Sequence, residues 1–177
     1  NMESVGVYLK EVLATHLPEN VENITLHLRE EVINSPYYHY THGLKKHDGN
    51  CQRIAHGHRS RIDIILDGKV CVESQQYWAD RWADIYIATL EDEIAYSDRK
   101  LKGQVSKEAD YYCFAYESSQ GYFELLIPKS DCEVIETDST VECLAQYLLE
   151  EQKKRTPDGV CRVIAYEGVG KGATVKG

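Results

Sequence analysis

Apolar and polar positions alternate in ways that divide the chain into helical and extended stretches. Val5, Leu9, Val12 and Leu13 recur at helical spacing and predict a helix over residues 3–17, stopped by Pro18. Ile24, Leu26 and Leu28 then alternate with polar residues, which predicts a strand ending at Glu30. Residues 35–50 carry Ser-Pro, His-Gly and Asp-Gly-Asn and read as a strand end followed by a loop. Residues 59–66 form a strand closed by the turn Asp67-Gly68, and residues 69–72 continue beyond it. From 73 to 93 two periods compete: 73–80 suits a helix, whereas Ile85, Ile87 and Thr89 alternate as in a strand. The charged residues 97–109 read as a loop. Tyr111–Tyr116 and Tyr122–Ile127 flank Ser118-Ser-Gln-Gly121 and predict a hairpin. Asp138 or Ser139 caps a helix over about 140–154, with Leu144, Leu148 and Leu149 on its inner face. Pro157-Asp-Gly159 is a turn and 161–166 a strand. Gly168-Val-Gly-Lys-Gly is a bend into a last strand; it lacks the spacing and the following helix of a phosphate-binding loop.

Two segments resemble each other. Glu3, Val5, Tyr8, Leu9, Glu11 and Pro18 match Glu142, Leu144, Tyr147, Leu148, Glu150 and Pro157 at a constant offset. A duplicated helix–turn–strand unit explains the match; so does the general likeness of any two amphipathic helices that precede a strand.

Composition narrows the classes. At 177 residues the chain suits a single domain, 1–177, with a sizeable core, and 42% hydrophobic content suits a soluble globular protein. A net charge of -9 argues against partners such as nucleic acid or an anionic membrane surface. No apolar run approaches the roughly 20 residues needed to span a bilayer, and no signal peptide opens the chain. Asn1 reads as a tag remnant, with Met2 the natural start. The six cysteines are scattered without CxxC pairs and read as free thiols in a reducing, cytoplasmic setting. Cys71, Cys113, Cys143 and Cys161 are expected to behave as small buried hydrophobes.

The chemistry concentrates between residues 39 and 58, which hold five of the seven histidines. In an extended segment His56 and His58 point to one face, and Gly57 between them permits close approach. Two such imidazoles make half of a zinc site, and a third would leave the fourth position open, as catalytic sites do. His42 is the expected third ligand, with His39 and His47 in reserve. Cys51 precedes the pair by five and seven residues.

These residues carry a resemblance. Tyr40-Thr41-His42-Gly43-Leu44, Cys51 and His56-Gly57-His58 resemble the signature of the 6-pyruvoyltetrahydropterin and 6-carboxytetrahydropterin synthase family. Thr137-Asp-Ser-Thr-Val-Glu142 is similar to that family's helix start, and Val163-Ile-Ala-Tyr-Glu167 to its strand ending in a pterin-anchoring glutamate. The blocks occur in family order over roughly two fifths of the chain. The resemblance implies an α+β tunnelling fold: an antiparallel four-stranded sheet with two helices on one face, here with an extra N-terminal helix and a central hairpin insertion. It implies a homo-oligomeric ring, such as a hexamer, with sites between subunits. It further implies Zn2+ on His42, His56 and His58, Cys51 as catalytic base, and Glu167, Glu142 and Thr140 as binders of a small-molecule pterin. The implied activity is that of a lyase on 7,8-dihydroneopterin triphosphate, as in tetrahydropterin or queuosine biosynthesis, where side-chain proton transfers precede triphosphate loss.

The chain also departs from the family. An Asp-His pair expected between mid-chain and the last helix is absent: no histidine follows His58, and residues 124–131 read as a strand. Glu124 and Asp131 are candidates to replace it. Two other functions stay open, a family member that binds zinc and a pterin- or purine-like ligand without this turnover, and an unrelated zinc hydrolase with Glu30, Glu31 or Asp48 as base. Lys45, Lys46, Arg53, Arg59 and Arg61 surround the motif and are candidates to neutralise a triphosphate, or face solvent.

Overall fold

A computed structural model describes residues 2–29, 32–168 and 170–177. Asn1, Glu30, Glu31 and Val169 lie outside the described residues, and with them the expected strand end at Glu30 and two of the three candidate hydrolase bases. Contacts divide the chain into two compact units, residues 1–32 and 33–177.

In the first unit the expected helix forms as α1 (Met2–His16), with no buried side chain. The strand expected over 24–28 does not form: residues 21–29 have no regular structure. Alternation alone does not make a strand, because an extended segment needs a neighbour for its ladder of hydrogen bonds. The duplicated unit is therefore realised as a helix only.

The second unit is built on one sheet. Its strands are β1 (Tyr37–His42), β2 (His56–Leu66), β3 (Lys69–Val70), β4 (Ile85–Thr89), β7 (Cys132–Ile135), β8 (Cys161–Tyr166) and β9 (Gly172–Lys176), in the order β7-β4-β1-β2-β8-β9 with β3 on β2. The four strands β1-β2-β8-β9 run antiparallel, as expected; β4 and β7 extend this core by parallel pairing. The strand count thus exceeds the expected four. The stretch where two periods compete resolves into α2 (Val72–Arg81) followed by β4. The central hairpin is β5 (Tyr111–Ser118) with β6 (Gly121–Pro128).

Helices α2 and α3 (Val141–Arg155) cover one face of the sheet. Alternate strand residues feed that core: Tyr38 and Tyr40, Ile62 and Ile64, Ile85 and Ile87, Val163 and Ala165, against Trp78, Trp82, Leu144 and Leu148. The opposite residues of β4, Tyr86 and Ala88, pack under the hairpin with Ile54, Phe114 and Tyr116. Strand β4 is buried at every position because both of its faces are covered.

A chain of hydrogen bonds runs through the helical layer, although the buried Trp82 indole N–H has no hydrogen-bond partner. The Trp78 indole N–H donates to Gln152 Oε1 at 2.9 Å, and Gln152 Nε2 donates to Ser74 Oγ at 3.2 Å. This chain of bonds ties α3 to α2 above the sheet. Gln152→Leu would leave the buried indole N–H without its partner, and an orphaned buried donor costs about 1–3 kcal/mol. A denaturant midpoint lowered by that amount at unchanged m-value is the expected outcome.

Candidate metal centre

The register of β1 against β2 builds the site. His42 lies directly opposite His56, and Tyr40 opposite His58. Because side chains alternate along a strand, all three histidines fall on one face of the two-stranded ladder. Their ring centroids are 4.3 Å (His42–His56), 5.0 Å (His42–His58) and 5.0 Å (His56–His58) apart. One nitrogen from each lies within 4.8 Å of the others, the only such group of three among the described residues.

The tautomers are set from behind. His42 Nδ1 lies 3.0 Å from the Ser139 carbonyl and 2.8 Å from its hydroxyl, and His56 Nδ1 lies 3.3 Å from the Arg53 carbonyl. A proton on Nδ1 directed to these carbonyls leaves the Nε2 lone pairs free. All three Nε2 atoms are buried, and none has a partner. Orphaned buried acceptors converging on one point are what a divalent cation requires, and neutral imidazole is a good ligand for zinc and its neighbours in the transition series. The residues fit a metal.

Burial holds the triad neutral. His42, 1% exposed, has its pKa pushed down to about 3, first by desolvation and then by the charges His56 and His58 would carry. Desolvation also lowers His56 and His58, opposed in both by the Glu167 carboxylate. Tyr40 packs on the His58 ring at 5.3 Å and edge-on to His42 at 5.1 Å, fixing both planes.

Glu167 Oε1 lies 3.8 Å from His58 Nε2, and Glu167 Oε2 pairs with Lys171 Nζ at 2.7 Å. The turn between them is closed by the Glu167 N–H donating to the Lys171 carbonyl at 2.9 Å. Lys171 has its pKa raised, chiefly by Glu167, with smaller contributions from Cys51 and Glu142. Cys51 is half-buried in a 3-10 turn over Gly49–Gln52, and Glu142 is exposed. The N-cap of α3 is Thr140, not Asp138 or Ser139: its hydroxyl accepts from the Cys143 N–H at 3.4 Å, while Ser139 turns inward to His42.

Other candidates lie elsewhere. His39 occupies the opposite face of β1, 3.9 Å from Asp84, and His47 is exposed outside the triad. Asp48 is exposed ahead of the 3-10 turn. Glu124 is committed to the Lys100 and Leu101 N–H groups and the Tyr122 hydroxyl, and Asp131 is exposed with Ser130 as its partner. Lys45 pairs with Glu91 at 3.3 Å and 2.5 Å from Asp92, Lys46 with Asp138 at 3.2 Å, and Arg61 lies over Tyr166 and near Asp63. The Ser139 contact and Lys171 were missed from sequence. A serine two residues ahead of a helix reads as a cap, and only the fold brings residue 139 to residue 42.

This is an α+β protein whose sheet carries a three-histidine centre of metal-binding type. A model of the family described as 6-pyruvoyl tetrahydropterin synthase matches residues 31–177, and the chain belongs to that family. Among solved structures it is similar to 6-pyruvoyl tetrahydropterin synthase from Plasmodium vivax (20% identity, 81% of this chain and 91% of that one, TM-score 0.50). It is also similar to the Plasmodium falciparum enzyme (16% identity, 82% and 94%, TM-score 0.55). At such identities these likenesses establish the fold. No curated protein sequence matches the chain. No helix among the described residues is long and apolar enough to cross a membrane.

The depressed histidines give a pH dependence. In the unfolded chain each titrates near 6.5, whereas His42 in the fold stays neutral to about 3. Between those values the unfolded state binds the extra proton, so metal-free protein is expected to lose stability as pH falls below about 6.5. A melting temperature followed from pH 7.5 to 4.5 checks this; added metal, held by the neutral rings, is expected to raise it most at the upper end.

Proposed function

We propose that the chain is a zinc-dependent lyase acting on 7,8-dihydroneopterin triphosphate or a close relative, of the 6-carboxytetrahydropterin or 6-pyruvoyltetrahydropterin synthase type. The observation that carries the reading is the set of three unmet Nε2 atoms, one of them 3.8 Å from the Glu167 carboxylate, in a chain of this family. His42, His56 and His58 would hold zinc. Bound zinc would polarise a substrate hydroxyl or carbonyl and acidify the adjacent C–H. Cys51 takes that proton as base. Glu167, just past the end of β8, accepts two N–H bonds from the aminopyrimidinone edge, with Glu142 and Thr140 as further binders. Lys171 already holds one oxygen of Glu167 and orients the carboxylate for that contact. Because Lys45 and Lys46 are tied to carboxylates, they are poorer partners for a triphosphate than their sequence position suggests. The other subunits of a homo-oligomeric ring are the natural source of further anion contacts.

Metal analysis combined with turnover tests the reading. His58→Ala is expected to lose zinc. Cys51→Ala is expected to keep zinc and lose turnover about 100-fold or more, the usual weight of a positioned base. Glu167→Gln is expected to keep zinc and raise KM about tenfold, the weight of a charge-assisted bond pair. Acetaldehyde or a pyruvoyl product marks the two synthase types. Tight pterin binding by zinc protein without any product would instead make the chain a pterin-binding relative, and loss of zinc in Cys51→Ala would make the thiol a ligand.

A further inference from the structure

The short turn that carries Cys51 is held from outside itself. The Tyr116 hydroxyl donates to the Gln52 carbonyl at 2.8 Å, and the Tyr86 hydroxyl to the Ile54 carbonyl at 2.7 Å. The Ser119 hydroxyl donates to Gln52 Oε1 at 2.8 Å, and the Gln120 side-chain amide donates to the Gly49 carbonyl. The Cys51 carbonyl itself accepts from the Leu44 N–H at 2.8 Å, two residues beyond the metal-facing His42. Three of these five donors, Tyr116, Ser119 and Gln120, belong to one element, the end of the β5–β6 hairpin. Gln52 is 4% and Tyr116 7% exposed, whereas Cys51, next to Gln52 in the chain, keeps access to solvent. Gly43 is needed for it, since a Cβ there would stand 2.1 Å from the Tyr116 hydroxyl and 2.8 Å from the Ile54 Cα.

Ile54 and Tyr116 also pack in one buried cluster with Tyr86, Ala88 and Phe114; the hydrogen bonds add direction to that packing. Directional hydrogen bonds on the two sides of one residue fix where its side chain points. Desolvation raises the pKa of Tyr116 and of Tyr86, so both hydroxyls stay protonated donors.

We propose that the β5–β6 hairpin is the device that positions the Cys51 thiol, with Tyr116 as its principal positioning residue. The role in turnover rests on the reading of Cys51 as the base; the positioning itself does not. Tyr116→Phe removes one hydroxyl and keeps the ring. The rate at which iodoacetamide alkylates Cys51, resolved from the other five thiols by peptide mass spectrometry and followed against pH, is expected to rise about threefold or more as the loop is released. Metal stoichiometry should stay unchanged. With dihydroneopterin triphosphate, kcat is expected to fall about tenfold with KM within about twofold, since misplacement of a reacting group acts on the chemical step. The exposed double substitution Ser119→Ala, Gln120→Ala, which leaves the core intact, is expected to shift alkylation in the same direction to a smaller degree, and it decides the matter if Tyr116→Phe fails to fold. An unchanged alkylation rate and pH profile for Cys51 in the folded variants would overturn the proposal. Altered alkylation together with full turnover in Cys51→Ala would uphold the positioning and remove the base assignment.

Discussion

Three imidazole nitrogens with free lone pairs, out of water and aimed at one point, are the constraint around which this fold is organised. Left unmet, each buried acceptor costs about 1–3 kcal/mol, so such a cluster persists only where something else repays it. A cation does so. The cluster depends on a single register: His42 opposite His56, with His58 one pleat further on the same strand. A slip by one residue would turn one strand's imidazoles to the other face of the sheet and dismantle the centre.

The surrounding elements converge on that ladder. Ser139, at the entry to α3, faces the back of His42, so the long helix that closes the core also fixes a ligand's orientation. Hydrogen bonding to the rear nitrogen of a metal-binding histidine usually tunes affinity as well as geometry. Glu167 follows directly on β8, and Lys171 ahead of β9 pairs with it. On the opposite face the hairpin, an insertion by sequence, reaches the loop that bears the thiol. Helix, turn and hairpin are distant along the chain, and each contributes one contact to a site whose ligands come from two adjacent strands.

Much of this was legible in the sequence because it is local. Strand alternation at 161–166, the helix near 140–154 and the hairpin flanking Ser118–Gly121 all follow from periodicity, and the structure forms them nearly at the expected bounds. The His-Gly-His spacing fixes a shared face by the geometry of any strand. What was not legible is non-local. Ile24, Leu26 and Leu28 alternate like a strand, but a ladder partner is a property of the whole fold. The parallel strands β4 and β7 widen the sheet beyond four, because β4 is covered on both faces and carries a period-two signal in only some of its residues. Ser139 looked like a cap and proved to face His42, while Thr140 does the capping. Lys45 and Lys46 looked free to meet phosphates until the fold brought Glu91, Asp92 and Asp138 to them.

The coordination shell itself is the most direct witness. X-ray absorption on zinc-loaded protein should show one ion per chain with three imidazole nitrogens at about 2.0–2.1 Å and a light-atom fourth neighbour. A sulfur at about 2.3 Å would place Cys51 among the ligands, and failure to retain any divalent ion at neutral pH would contradict the account outright.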